Sequence, residues 1–179
     1  MSNLSSLLPT AYCLLPKSYS LLPIPHSLLS IDNTVRMKPR ILLVDDNQQN
    51  VELLEAYLLK VDCDTEIAVD GQDALTKTAE FHPDLILLDV MMPKLNGFEV
   101  CQKLKSNPET AGIMILMVTA LGELGDIERA VKAGCDDFLS KPVNQLELLK
   151  RIDNLLKLRT VTDELERLKQ YIDSMEERK

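Results

Sequence analysis

From residue 38 onward, short unbroken runs of Val, Ile and Leu alternate with longer amphipathic stretches, and this alternation restricts the fold more than any other feature. Ile41-Leu42-Leu43-Val44 reads as a first strand. Residues 47–60 follow with Val51, Leu54 and Leu58 at helical spacing. Thr65 to Val69 is a second strand, more polar and therefore expected nearer a sheet edge. Gly71 opens a helix to about Glu80, and Leu85-Ile86-Leu87-Leu88 is a third strand. Asn96-Gly97 turns into a helix carrying Phe98, Val100 and Leu104, and Ile113 to Val118 is a fourth strand. A helix over 123–132 is ended by Gly134, Asp137-Phe138-Leu139 is a short fifth strand, and a long helix starts near Asn144. Strands that are apolar at every position are covered on both faces, which alternating strand and helix units achieve only in a parallel sheet. The expected class is therefore α/β, a doubly wound five-stranded parallel sheet with helices on both faces and a long C-terminal helix. In such sheets the ligand crevice lies beyond the carboxyl ends of the strands.

Those ends carry reactive side chains. The first strand ends in Asp45-Asp46, the third in Asp89, the fourth in Thr119-Ala120 and the fifth in Ser140-Lys141-Pro142. Brought together, they make a pocket of carboxylates with one hydroxyl and one ammonium. Three close carboxylates do not ionise comfortably together. A hard divalent cation relieves them, and a few carboxylates plus water is how Mg²⁺ is held. A carboxylate with open space before it can attack phosphorus and become an acyl phosphate. Lys141 and the cation would neutralise the phosphoryl oxygens, and Thr119 would donate a hydrogen bond to one. Taken singly, each residue has an ordinary explanation: Asp45-Asp46 as a helix cap, Thr119 as a cap, Lys141 as a solvated charge. The joint placement at the same end of each strand is what points to a site.

Here the chain resembles the receiver domain of two-component response regulators. The residues that carry the resemblance are Ile41 to Asp46, Leu88-Asp89-Val90-Met91-Met92-Pro93, Asn96-Gly97, Val118-Thr119-Ala120, Gly134, and Phe138-Leu139-Ser140-Lys141-Pro142. They span about residues 38–158. The resemblance implies the flavodoxin-like strand order 2-1-3-4-5. It implies Asp89 as phosphoacceptor from a sensor histidine kinase or a histidine phosphotransfer protein. It implies Mg²⁺ ligated by Asp46, Asp89 and the Met91 backbone carbonyl, with Asp45 acting through water. Lys141 would pair with the phosphoryl group, across a cis Lys141–Pro142 bond. Thr119 and Phe138 would form a switch that remodels the face of the fourth helix, fifth strand and fifth helix. A phosphoacceptor of this kind is not an enzyme with turnover. The loop Lys94-Leu95-Asn96-Gly97 departs slightly from the commoner Met-Asp-Gly text and touches no expected ligand.

Both flanks differ from this domain. Residues 7–30 repeat every seven residues on a Leu-Leu-Pro theme. A proline in each repeat breaks a helical ladder, and the absence of an early basic residue argues against a signal peptide. Residues 1–36 are expected to be disordered. A tandem seven-nucleotide DNA repeat returns to frame every third copy and would give the same peptide period. Residues 1–36 then read as translated upstream DNA, with Met37 the natural start. At the other end, Leu158, Val161, Leu165, Leu168, Ile172 and Met175 are spaced 3, 4, 3, 4, 3, the seam of a coiled coil, with Glu164 and Lys169 flanking it. Residues 159–179 are expected to extend the last helix, and 158–175 to mediate a homodimer. The alternative is a helix folded back on its own domain, or the start of a linker.

Composition narrows the partners. The net charge is −8 and there is no Trp, which disfavours nucleic acid and anionic membranes. Four scattered cysteines and two histidines argue against a zinc site or disulfide framework and fit a reducing cytoplasm. No output domain is expected after the receiver. Two other readings compete: a haloacid-dehalogenase-type phosphatase, disfavoured because Asn47 stands where a second Asp is needed and Asp136-Asp137 precede Lys141, and a coiled-coil scaffold with an inert head. Asp136-Asp137 itself reads as a solvated turn.

Overall fold

The structure, a computed structural model, describes residues 38–120 and 124–176, with no side-chain description for 124–127, 167 and 170–176. The expectations for residues 1–36 and for Met37 lie outside the described residues. The elements in chain order are β1 (Arg40–Val44), α1 (Gln48–Leu58), β2 (Asp64–Ala68), α2 (Gly71–Phe81), β3 (Leu85–Leu88), α3 (Gly97–Ser106), β4 (Met114–Thr119), α4 (Leu124–Ala133), β5 (Asp137–Ser140) and α5 (Gln145–Glu176).

Local chemistry sets the helix starts. Asn47 caps α1, its side-chain oxygen accepting from Gln49 N–H at 2.9 Å. Asp70 caps α2 by accepting from Gln72 and Asp73 N–H. Asn96 and Glu99 form a reciprocal capping box at α3. Each satisfies backbone donors that the first helical turn leaves without partners. At the far end of α4, Gly134 takes φ +86°, a left-handed conformation that costs glycine little. The fourth strand starts one residue later than the sequence pattern suggests. Ile113 N–H is bonded to Thr110 O in the preceding turn, so Met114 is the first residue of the ladder.

All four strand pairings are parallel, and the order is β2-β1-β3-β4-β5. The polar strand β2 is indeed an edge. Side chains alternate between two cores. Leu42, Val44, Ile86, Leu88, Ile115 and Met117 face one side, under Ala74 of α2, Phe98, Val100 and Leu104 of α3, and Ala130 of α4. Ile41, Leu43, Leu85, Leu87, Leu116 and Val118 face the other, under Val51, Leu54 and Leu58 of α1 and Leu148, Ile152 and Leu155 of α5. β3 is buried at every position. Burying each such side chain contributes roughly 1.5–3 kcal/mol before the cost of ordering the chain. The strand order reverses at β1, so the connections leaving β1 and β3 part to opposite faces and open a crevice at their carboxyl ends. Among the described residues no helix is long and apolar enough to cross a membrane.

Candidate functional site

Three loops meet at that crevice. β1 runs out into Asp45 and Asp46, β3 into Asp89, and β5 through Ser140 into Lys141. The β1–β3 register sets Val44 opposite Leu88, which brings the residues that follow them side by side. Asp89 N–H donates to Val44 O at 2.8 Å across this junction. One carboxylate oxygen from each of Asp45, Asp46 and Asp89 lies within 4.8 Å of the others. Asp45 and Asp89 are buried, whereas Asp46 is exposed. Lys141 Nζ sits 2.8 Å from Asp45 Oδ2 and 3.1 Å from Asp89 Oδ2. Its backbone N–H donates to Thr119 O at 2.8 Å, which fixes the lysine to the end of β4. The Lys141–Pro142 bond is cis.

The carboxylates are not equivalent. Asp45 accepts from Asn47 N–H at 2.9 Å, from the Asn50 amide at 3.0 Å on both oxygens, and from Lys141. Asp89 accepts a long 3.4 Å contact from Met91 N–H and pairs with Lys141. Burial is the largest influence on Asp89 and raises its carboxyl above the ordinary range, with Asp45 adding to the effect; Lys141 opposes without cancelling it. Burial would lower the Lys141 ammonium. The hydrogen bond to Asp45 and the charges of Asp89 and Asp45 outweigh it, so Lys141 stays above its ordinary value and carries its charge at neutral pH.

Thr119 is buried at the end of β4. Phe138, on β5 beside Met117, is half-buried against the core under α3 and α4. Met91 is exposed in the loop after β3. All the residues picked out at the strand ends thus meet at one end of the sheet, except that Phe138 lies within β5, two residues before its end. Asn50 was not evident in the sequence: its amide clamps Asp45 from the first turn of α1, an unremarkable position for an asparagine. Asp136 and Asp137 sit at the opposite end of β5 and are not a solvated turn. Asp136 accepts from Ile115 N–H at 2.7 Å and from Lys105 at 2.7 Å. Asp137 forms a two-oxygen pair with Arg151 at 2.7 Å. They supply no acidic pair to the crevice, as the phosphatase reading would need.

The donor set is all oxygen, hard and anionic, with spacing that suits a small divalent cation. A family pattern described as the response regulator receiver domain matches residues 41–153. The chain belongs to this family. Among relatives of the receiver, response regulator PleD of Caulobacter vibrioides is 45% identical over 129 residues, covering 72% of this chain and 28% of that protein. The DNA-binding dual master transcriptional regulator RpaA of Synechocystis is 41% identical over 119 residues, covering 66% of this chain and 49% of that protein. The chain therefore spans half or less of the length of these relatives. Among solved receiver structures, a putative response regulator from Chloroflexus aurantiacus aligns with a TM-score of 0.65 at 32% identity, covering 67% of this chain and 98% of the other. A CheY-like receiver domain protein from Methanospirillum hungatei aligns with a TM-score of 0.65 at 28% identity, covering 70% and 98%.

Proposed function

We propose that this receiver is a phosphoacceptor in two-component signalling, with Asp89 taking a phosphoryl group from a sensor histidine kinase or a histidine phosphotransfer protein. An Asp89 carboxylate oxygen attacks the phosphorus of a phosphohistidine. The new P–O bond forms as the P–N bond breaks, and the imidazole keeps the electron pair. Asp89 suits the role because it is buried at the end of β3 beside the Lys141 ammonium, with a carboxylate oxygen within 4.8 Å of those of Asp45 and Asp46. Asp45, held by Asn47, Asn50 and Lys141, is already saturated with donors, which suits action through water. Mg²⁺, held by Asp46, Asp89 and the Met91 carbonyl, would supply positive charge to the phosphoryl oxygens. Lys141 then shifts its pairing from carboxylate to phosphoryl oxygen.

Thr119 and Phe138 carry the consequence outward. Thr119 is joined to Lys141 through the backbone, and Phe138 is paired to Met117 two residues before Thr119. A hydroxyl drawn toward the phosphoryl group leaves space that the half-buried Phe138 ring fills, which alters protein contacts on the α4, β5 and α5 face. The receiver acts as a switch in the cytoplasm, without turnover. Free thiols at Cys63, Cys101 and Cys135 support a reducing compartment.

The observation that carries this reading is the meeting of Asp45, Asp46 and Asp89 within reach of Lys141. Incubation with acetyl phosphate and Mg²⁺, followed by intact-mass analysis, tests it. Wild type should gain one phosphoryl group and Asp89→Ala none. Equal labelling of the two would sink the assignment. Continuous release of phosphate from phosphomonoesters would favour the phosphatase instead.

A further inference from the structure

The last helix runs unbroken from Gln145 to Glu176, but only its first part belongs to the receiver core. Leu148, Ile152 and Leu155 are buried against the sheet. Arg159 continues that stripe and ends it: its guanidinium pairs with Asp84 at 3.2 Å and donates to Gly112 O at 2.6 Å. Beyond this anchor a second apolar row begins. Leu158, Val161, Leu165 and Leu168 are each more than half exposed, at 53%, 52%, 54% and 55%. At 100° per residue their row is centred about 130° around the helix from the buried stripe. It is therefore a separate face, and the packing that holds α5 to the sheet leaves it uncovered. One heptad upstream, the equivalent positions are Arg151 and Asn154, so the apolar row starts at Leu158.

The row has the 3-4-3 spacing of coiled-coil positions a and d, and the sequence continues it at Ile172 and Met175. With Leu158 and Leu165 at a and Val161 and Leu168 at d, Glu164 falls at g and Lys169 at the next e. Both are exposed. In a parallel, in-register pair, g of one helix faces the following e of the other, so Glu164 meets Lys169 of the second copy twice across the dyad. An antiparallel pair centred on Leu165 would instead set Glu164 against its own counterpart. We propose that residues 158–175 form a parallel two-stranded coiled coil with a second copy of this chain, which holds two receiver heads side by side at its amino end. This assembly does not depend on the phosphoacceptor reading.

Sedimentation of the full chain across micromolar concentrations tests the proposal without phosphodonor or cation. A monomer–dimer equilibrium is expected. Leu165→Lys removes a buried Leu from each strand and should weaken the dimer by a hundredfold or more, on the order of two Leu transfer energies. Leu165 is exposed in the single chain, so the receiver should keep its circular dichroism and melting temperature at dilution. Glu164→Lys alone should weaken the dimer and Glu164→Lys with Lys169→Glu should restore it. In Leu165→Cys, mild oxidation should link the two copies, beyond any linkage seen in the wild type. A wild-type chain that stays monomeric, or a dimer that Leu165→Lys leaves intact, overturns the proposal. A dimer with no Leu165→Cys linkage overturns its parallel register.

Discussion

Replacing Asp89 with Asn should stabilise the metal-free receiver while destroying its proposed function. Asp89 lies 6% exposed beside the Asp45 carboxylate, and burial together with that neighbour raises its carboxyl despite Lys141. A carboxyl whose pKa is higher folded than unfolded favours the folded state fully below the unfolded value near 3.8, and this advantage is lost as pH rises through the folded value. Above that window the ionised group is a net burden. Asn keeps the shape without the charge, and Lys141 retains Asp45 at 2.8 Å. Removing such a poorly compensated buried charge is worth roughly 1–3 kcal/mol. For a domain of this size that is a rise in melting temperature of about 2–10 °C. Thermal unfolding at pH 7 in chelator reads it directly. The gain should shrink as pH falls below the folded value, because wild-type Asp89 is then also neutral. Mg²⁺ at tenfold its dissociation constant adds about 1.4 kcal/mol to wild type and less to the variant, which lacks one ligand. A variant that melts no higher than wild type at pH 7 without metal, or a gain that persists undiminished in acid, would refute the reasoning.

Gly97→Ala would place a methyl carbon 2.3 Å from the Asp89 carbonyl oxygen, a backbone atom with little freedom to retreat. A loss of about 1–3 kcal/mol in urea unfolding is expected, and an unchanged midpoint would count against the tight approach of α3 to the end of β3. Asn50→Ala leaves both Asp45 oxygens short of a donor and should weaken Mg²⁺ binding by roughly tenfold in calorimetric titration. Burial pushes the Cys101 thiol up to about 12 and Cys135 up to about 11, so both should resist iodoacetamide at pH 8 until the protein is unfolded.

The parallel sheet was readable because strands buried on both faces have no polar positions to blur the pattern, as β3 illustrates, whereas the strand order came from the resemblance to the receiver family. The site was readable because parallel β-α units deliver every strand end to one side. What escaped the sequence depends on contacts between distant segments. Asp136 looked like a turn residue, yet it completes the ladder at Ile115 and holds Lys105, partners 21 and 31 residues away. Lys94 looked incidental. Its backbone adopts φ +69° and its ammonium reaches Asp70, the cap of α2, holding that carboxyl below its usual range. Gly71 beside it lies so close to Leu95 O that a Cβ there would stand 2.3 Å away. Neither periodicity nor composition reveals such a meeting of two loops.

Arg159, by pinning the last helix to Asp84 and Gly112 at the rear of the sheet, makes the projecting segment a stiff rod with a fixed root. From Leu158 to Met175 the rod is about 27 Å long at the rise of an α-helix. A reorientation of about 5° at the root would sweep the far end by about 2 Å, close to half a helical turn. Any machinery attached out there would feel movements at the opposite pole of the domain as leverage, with no diffusing messenger between them.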